Sequence, residues 1–150
     1  MLIRSLLAVL AFTSIVIISS CGSPQHLDYR SNWTMKLNKA GCMDVCVSYQ
    51  FTVANNGSYT YKGVQNVKHL GMKSGTLDPI YIDSLESILD STYWSDYDSI
   101  YGSDGPGSQR KEIMFTTELS TWEIVYYRME PEKIRKLETF IDQLINRDDF

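Results

Sequence analysis

Residues 47–62 constrain the fold more than any other stretch. Val47, Tyr49, Phe51 and Val53 alternate with Ser48, Gln50 and Thr52, the period-2 pattern of a strand with one buried face. Asn55-Asn56-Gly57 follows, and Tyr59 and Tyr61 then alternate with Thr60 and Lys62. Asn-Gly accepts the positive φ angles of a tight turn, so the stretch predicts a β-hairpin. A hairpin alone is barely stable in water. It needs further strands or a helix on its apolar face.

The flanking sequence supplies both. Trp33, Met35 and Leu37 alternate with Thr34 and Lys36 and predict a strand before the hairpin, with Asn38 to Val45 as a loop at the cysteines Cys42 and Cys46. Val67 to Met72 is a weaker strand candidate, interrupted by Gly71. Asp78-Pro79 opens a helix, because Asp caps the free N–H groups and Pro fits the first helical position. Tyr81, Leu85, Ile88, Leu89 and Thr92 form one face, and the helix ends near 91–93. Ser95 to Ser108 is a long loop broken by Gly105-Pro106-Gly107. Ile113 and Phe115, then Trp122, Ile124 and Tyr126, mark two strands joined around Leu119-Ser120. Pro131 opens a last helix with Ile134, Leu137, Ile141, Leu144 and Ile145 as its stripe and Glu132–Lys136 as an i, i+4 pair. The order β-β-β-(β)-α-β-β-α predicts an α+β fold in two layers: an antiparallel sheet of five to six strands with two helices on one face.

The N-terminus sets an address. Met1 to Arg4 is a short charged start, Ser5 to Ile18 an apolar run, and Ser19-Ser20 small residues at a cut site, the layout of a secretory signal. The run is shorter than the roughly 20 residues of a spanning helix. Ile18-Ser19-Ser20-Cys21 resembles the lipobox of bacterial lipoproteins, in which the cysteine is acylated, palmitate included, and becomes the first mature residue. That resemblance implies a signal peptide at 1–20, a lipidated tether at 21–32 and a single domain at 33–150. It also implies a membrane contact through the lipid on Cys21. Gly22 in place of Asp points, by analogy with enteric lipoproteins, to the outer membrane, with the domain facing the periplasm.

Losing Arg4, the one charge in the leader, takes the formal net charge from −4 to −5. An acidic chain without a basic cluster excludes a nucleic-acid partner.

At the cysteines the chain also resembles a family of uncharacterised small bacterial lipoproteins and secreted proteins with a Cys-x3-Cys-Pro-x-Tyr signature, a domain of unknown function. Cys42, Cys46 and Tyr49 match it, as do Asn56-Gly57, Tyr61-Lys62-Gly63, Pro79 and Asp104-Gly105-Pro106. Val47 stands where that family has Pro, and Ser103 where Thr is common. The resemblance spans about residues 33 to 147 and implies the fold and the address, not an activity.

No motif selects a catalytic residue. Cys42 and Cys46, in an oxidising compartment, favour a structural disulfide. A redox pair would sit at Cys-x2-Cys on a helix start, and zinc needs four ligands, for which only His26, in the tether, and His69 could add imidazoles to the two cysteines. Asp96, Asp98 and Asp104 suggest a calcium loop only faintly, because Ile100 and Gly107 occupy ligand positions. No cofactor or metal is therefore expected. No Ser stands in a nucleophile elbow, and no Lys follows the Gly-Pro-Gly as in a phosphate loop. The favoured reading is a non-catalytic binding or structural module of the cell envelope with a protein or glycan partner. The alternatives are thiol-redox or metal chemistry at Cys42 and Cys46, and a small hydrolase built on acidic residues. Trp94, Tyr97, Tyr101 and Asp104, on the long loop, are the candidate binding residues.

Overall fold

The computed structural model describes residues 32–42 and 45–150. The expected leader, the expected lipidation site Cys21 and most of the expected tether lie outside these residues.

Seven strands form one sheet in the order β4-β3-β2-β1-β6-β7-β5. β1 is Trp33–Lys39, β2 Ser48–Ala54, β3 Ser58–Gln65 and β4 Gly71–Thr76. Helix α1, Pro79–Asp90, follows, then a single 3-10 turn at Trp94–Asp96. β5 is the two-residue strand Ile100–Tyr101, β6 is Lys111–Thr117, β7 is Thr121–Tyr126 and α2 is Glu132–Ile145.

The fold is α+β, as the alternation and the two helical stripes predict. The expected purely antiparallel sheet of five to six strands is corrected to a mixed sheet of seven. β5 runs parallel to β7, with Ile100 opposite Val125 and Tyr101 opposite Tyr126. It adds a strand between the first helix and the expected last hairpin. Two residues carry no readable periodicity, and a parallel neighbour lying more than 20 residues away in the chain leaves no local turn signal. The fourth strand also moves. It begins at Gly71, where Val67 to Met72 was expected, and pairs Gly71 with Gly63 through Thr76 with Ser58.

The hairpin turn differs in detail too. Only Gly57 takes a positive φ, +82°, and its N–H bonds Ala54 O at 2.9 Å. The connection is thus the three-residue kind that closes on a left-handed glycine, not a two-residue turn with two positive φ values.

Both helices cover the same sheet face. Trp33, Met35 and Leu37 of β1, Tyr49, Phe51 and Val53 of β2, Ile113 and Phe115 of β6, and Ile124 and Tyr126 of β7 are buried there. From α1, Ile82, Leu85 and Leu89 meet them, and Asp78 caps the helix by accepting from Ile80 N at 3.0 Å. From α2 the whole expected stripe, Ile134, Leu137, Ile141, Leu144 and Ile145, is buried. Glu132 and Lys136 form the expected pair at 2.9 Å, fully on the surface. Phe150 folds back onto β3, stacked on Tyr59 at 5.1 Å and edge-on to Tyr61 at 5.4 Å. Its backbone oxygen accepts from Lys73 Nζ at 2.6 Å. The other sheet face is polar, carrying Thr34, Lys36, Gln50, Thr52, Thr60 and Glu123.

Candidate functional site

Beneath the apolar rows of the sheet lies a row of a different kind. β1 does not stop at Leu37: its alternation continues inward to Lys39, which is buried. Lys39 stands opposite Tyr49 on β2 and opposite Lys111 on β6, and Lys111 stands opposite Tyr126 on β7. Four strands therefore contribute one continuous row, Tyr49–Lys39–Lys111–Tyr126. Two lysines directly opposite one another repel. α2 supplies the answer with Glu138 and Asp142, one turn apart.

Lys39 Nζ lies 2.7 Å from Glu138 Oε1 and 2.6 Å from Asp142 Oδ2. Lys111 Nζ reaches both oxygens of Glu138 at 3.1 Å. Tyr49 OH donates to Asp142 Oδ1 at 2.6 Å, and Tyr126 OH donates to Glu138 Oε2 at 2.9 Å. The ammonium groups also sit over the tyrosine rings, 5.4 Å from Tyr49 and 5.0 Å from Tyr126, where the ring face attracts a cation. Burial drives the Tyr49 hydroxyl far above its ordinary range, and the Asp142 carboxylate adds to this. Burial and Glu138 do the same to Tyr126. Both phenols therefore act as donors at any physiological pH. For Glu138, burial pushes the carboxyl up, but Lys39, Lys111 and the Tyr126 hydroxyl together hold it below the usual range. Two positive and two negative charges close on each other with every partner engaged, which is the arrangement a buried ionic cluster requires.

Above this layer, at the same end of the sheet, two loops meet. Cys42 and Cys46 lie with Cα atoms 5.7 Å apart and sulfurs at bonding distance. Gln109 holds the base of their loop, donating to Ala40 O at 2.7 Å and to Val47 O at 2.6 Å. Asn66 Nδ2 donates to Cys46 O at 3.1 Å. Facing the disulfide is a tight turn at 105–108. Pro106 fixes its first corner, Gly107 takes a φ of +73° at the second, and Ser108 N bonds Gly105 O at 2.9 Å, a pattern that fits a type II turn. Arg128 clamps the turn from the side by donating to Gly107 O at 2.9 Å. Gly41, Cys42, Asp104, Gly105, Pro106, Gly107 and Ser108 enclose a shallow open groove of about 490 Å³.

The structure separates the four residues expected to bind. Asp104 is exposed on the rim of this groove. Tyr101 is half-buried in β5, and its hydroxyl oxygen accepts from Asp98 N at 2.9 Å. Tyr97 is half-buried against the core. Trp94 is a core residue, stacked on Phe115 at 4.9 Å with the planes 13° apart. Its Nε1–H is buried without an acceptor among the described residues. His69 is occupied with the C-terminal segment, its Nε2 3.1 Å from Arg147 O. Among the described residues no three His, Cys, Asp or Glu side chains gather as metal ligands.

An α+β domain, its mixed sheet carrying a loop-built groove above a closed ionic layer, is the class of protein that these features define. Residues 34–145 match the profile of a family described as a domain of unknown function, DUF6438, and the chain belongs to that family. Comparison with curated proteins finds no match.

Proposed function

We propose that this chain is a lipid-anchored, non-catalytic binding module of a bacterial cell envelope, and that the groove between the disulfide loop and the 105–108 turn receives an envelope protein or glycan. The observation that carries this reading is the way the groove is built. Its walls are mostly backbone of small residues pinned by Gln109, Ser108 and Arg128, which favours recognition over chemistry. The nearby side chains able to transfer protons, Lys39, Lys111, Glu138 and Asp142, are spent on one another. Asp104 remains as the exposed charge on the rim, fit to orient a cationic or hydroxyl-rich partner. The lipid address rests on Ile18 to Cys21.

A photo-crosslinking residue at Ser103, introduced into the full-length protein in bacteria, tests the groove. The expected outcome is one dominant adduct, of protein or of cell-wall glycan, that disappears when Asp104 and Pro106 are both replaced by Ala. A crosslinker at Thr52 on the open sheet face serves as the comparison. Capture that is equal at both positions, or indifferent to the double replacement, rejects the groove. A second reading, thiol exchange, is favoured by one observation: Cys42 lines the groove. Trapping of mixed disulfides by Cys46→Ser separates it from the first.

A further inference from the structure

The chain enters the domain at the end of the sheet opposite the groove. Trp33, the first residue of β1, is in register with Thr117 at the end of β6. Asn32 Nδ2 donates to Glu118 Oε1 at 2.9 Å, which fastens the incoming chain to the β6–β7 turn. At the tip of that turn stands Leu119, 93% exposed, the highest value among the large apolar side chains described. Ile80, in the first turn of α1 and 63% exposed, belongs to the same end, because Leu77 N bonds Gly57 O at the β2–β3 turn.

We propose that this end is a lipid-facing surface: Leu119, with Ile80 at the same end of the sheet, rests on a zwitterionic phospholipid bilayer, and the groove is held away from that bilayer. The inference rests on the reading of Cys21 as the lipid-bearing residue. Eleven residues, Gly22 to Asn32, then separate the lipid from the β6–β7 turn, with a reach of about 35–40 Å when extended and about 18 Å as a coil. The tether thus keeps this one end of the domain within its own length of the headgroups. Val45 and Met129, at the groove end, are also exposed, so apolar exposure alone does not choose an end. The point of entry does. Acidic side chains select the lipid. Glu118 and Asp78 are exposed at this end and disfavour an anionic surface within a Debye length of about 8–10 Å. A seven-residue strand is about 23 Å long, so the groove clears the headgroups by roughly that distance. Burial of one leucine is too little to bind a membrane unaided, but enough to orient a domain already tethered there.

The test uses full-length lipidated protein in phosphatidylcholine vesicles carrying a headgroup spin label. An environment-sensitive fluorophore is placed on Ser120→Cys in one sample and on Ser103→Cys in another, the native disulfide left intact. Quenching several-fold stronger at 120 than at 103, and reduced by adding Leu119→Ser, is the expected result. Equal quenching, or stronger quenching at 103, in protein that floats with the vesicles overturns the orientation while the anchor stands. Protein that fails to float overturns the anchor and this inference together. Quenching at 120 that requires phosphatidylglycerol overturns the choice of a zwitterionic surface.

Discussion

Gly63 shows how much a single position can dictate. A Cβ placed there would lie 2.0 Å from His69 O and 2.7 Å from the Tyr61 hydroxyl, and that hydroxyl itself donates to His69 O at 3.0 Å. The contact is with backbone and cannot swing aside. Gly63→Ala is therefore expected to cost about 2–3 kcal/mol, seen as a lower denaturant midpoint with an unchanged slope. Glu138 makes a different demand. Its folded-state pKa is held below the unfolded value of about 4.3, so its contribution to stability is complete above that value. It is lost as pH falls through the lower, folded one. Glu138→Gln is expected to be less stable at pH 7 and to show a shallower decline of stability between about pH 5 and pH 3. Equal slopes in urea titrations across that range would contradict the role assigned to the carboxylate. Lys39 and Lys111 were legible only in part. Their phase in the alternation points inward, continuing Leu37 and Ile113, but a charged side chain at a strand end is ordinarily read as the place where the strand stops.

Helix α2 was the most readable element, because a 3.6-period stripe of five aliphatic residues needs no distant partner to be recognised. The segment between α1 and β6 was the least readable. Its length, with its aromatic and acidic side chains, suggested a functional loop. Trp94 fills the space over Phe115, and Ile100–Tyr101 is an edge strand through pairing with β7. Both roles depend on residues 21 and 25 positions away, which no local pattern reports. An expectation changes accordingly. Replacement of Tyr97 and Tyr101 should lower the thermal midpoint by several degrees, whereas Asp104→Ala with Pro106→Ala should leave it within about 1–2 °C, a shift of a few tenths of a kcal/mol. The polar row predicts coupling between elements. Lys39→Met should cost about 3–5 kcal/mol, because it strands carboxylates on α2. Adding Asp142→Leu, which removes the stranded carboxylate and leaves Glu138 paired with Lys111 and the Tyr126 hydroxyl, should recover part of that loss in a double-mutant cycle. The cysteine loop predicts a smaller effect: Cys46→Ala should cost about 2 kcal/mol at most, since Gln109 and Asn66 hold the loop independently.

For the whole molecule, the proposed geometry is polar in the directional sense, with the tether at one end of the sheet and the groove at the other. Cys21→Ala should abolish partition into detergent while leaving the denaturation curve of the domain unchanged, since residues 22–32 separate it in sequence from the first strand. The row Tyr49–Lys39–Lys111–Tyr126 has a further consequence, for the order in which the chain acquires its shape. Before α2 docks, the groove end of the β1–β6 pair holds two facing ammonium groups and no counter-charge. Pairing there is opposed until residues 132–145 arrive. The tether end of the same pair, Trp33 with Thr117 and Met35 with Phe115, is free of that repulsion. The sheet should therefore zip from the tether end and close last at the groove. A chain that gains its residues in order would then complete the groove end only once the last helix is available. Pulsed hydrogen exchange during refolding should show Met35 and Phe115 amides protected before those of Lys39 and Lys111, and Lys39→Met should narrow that interval.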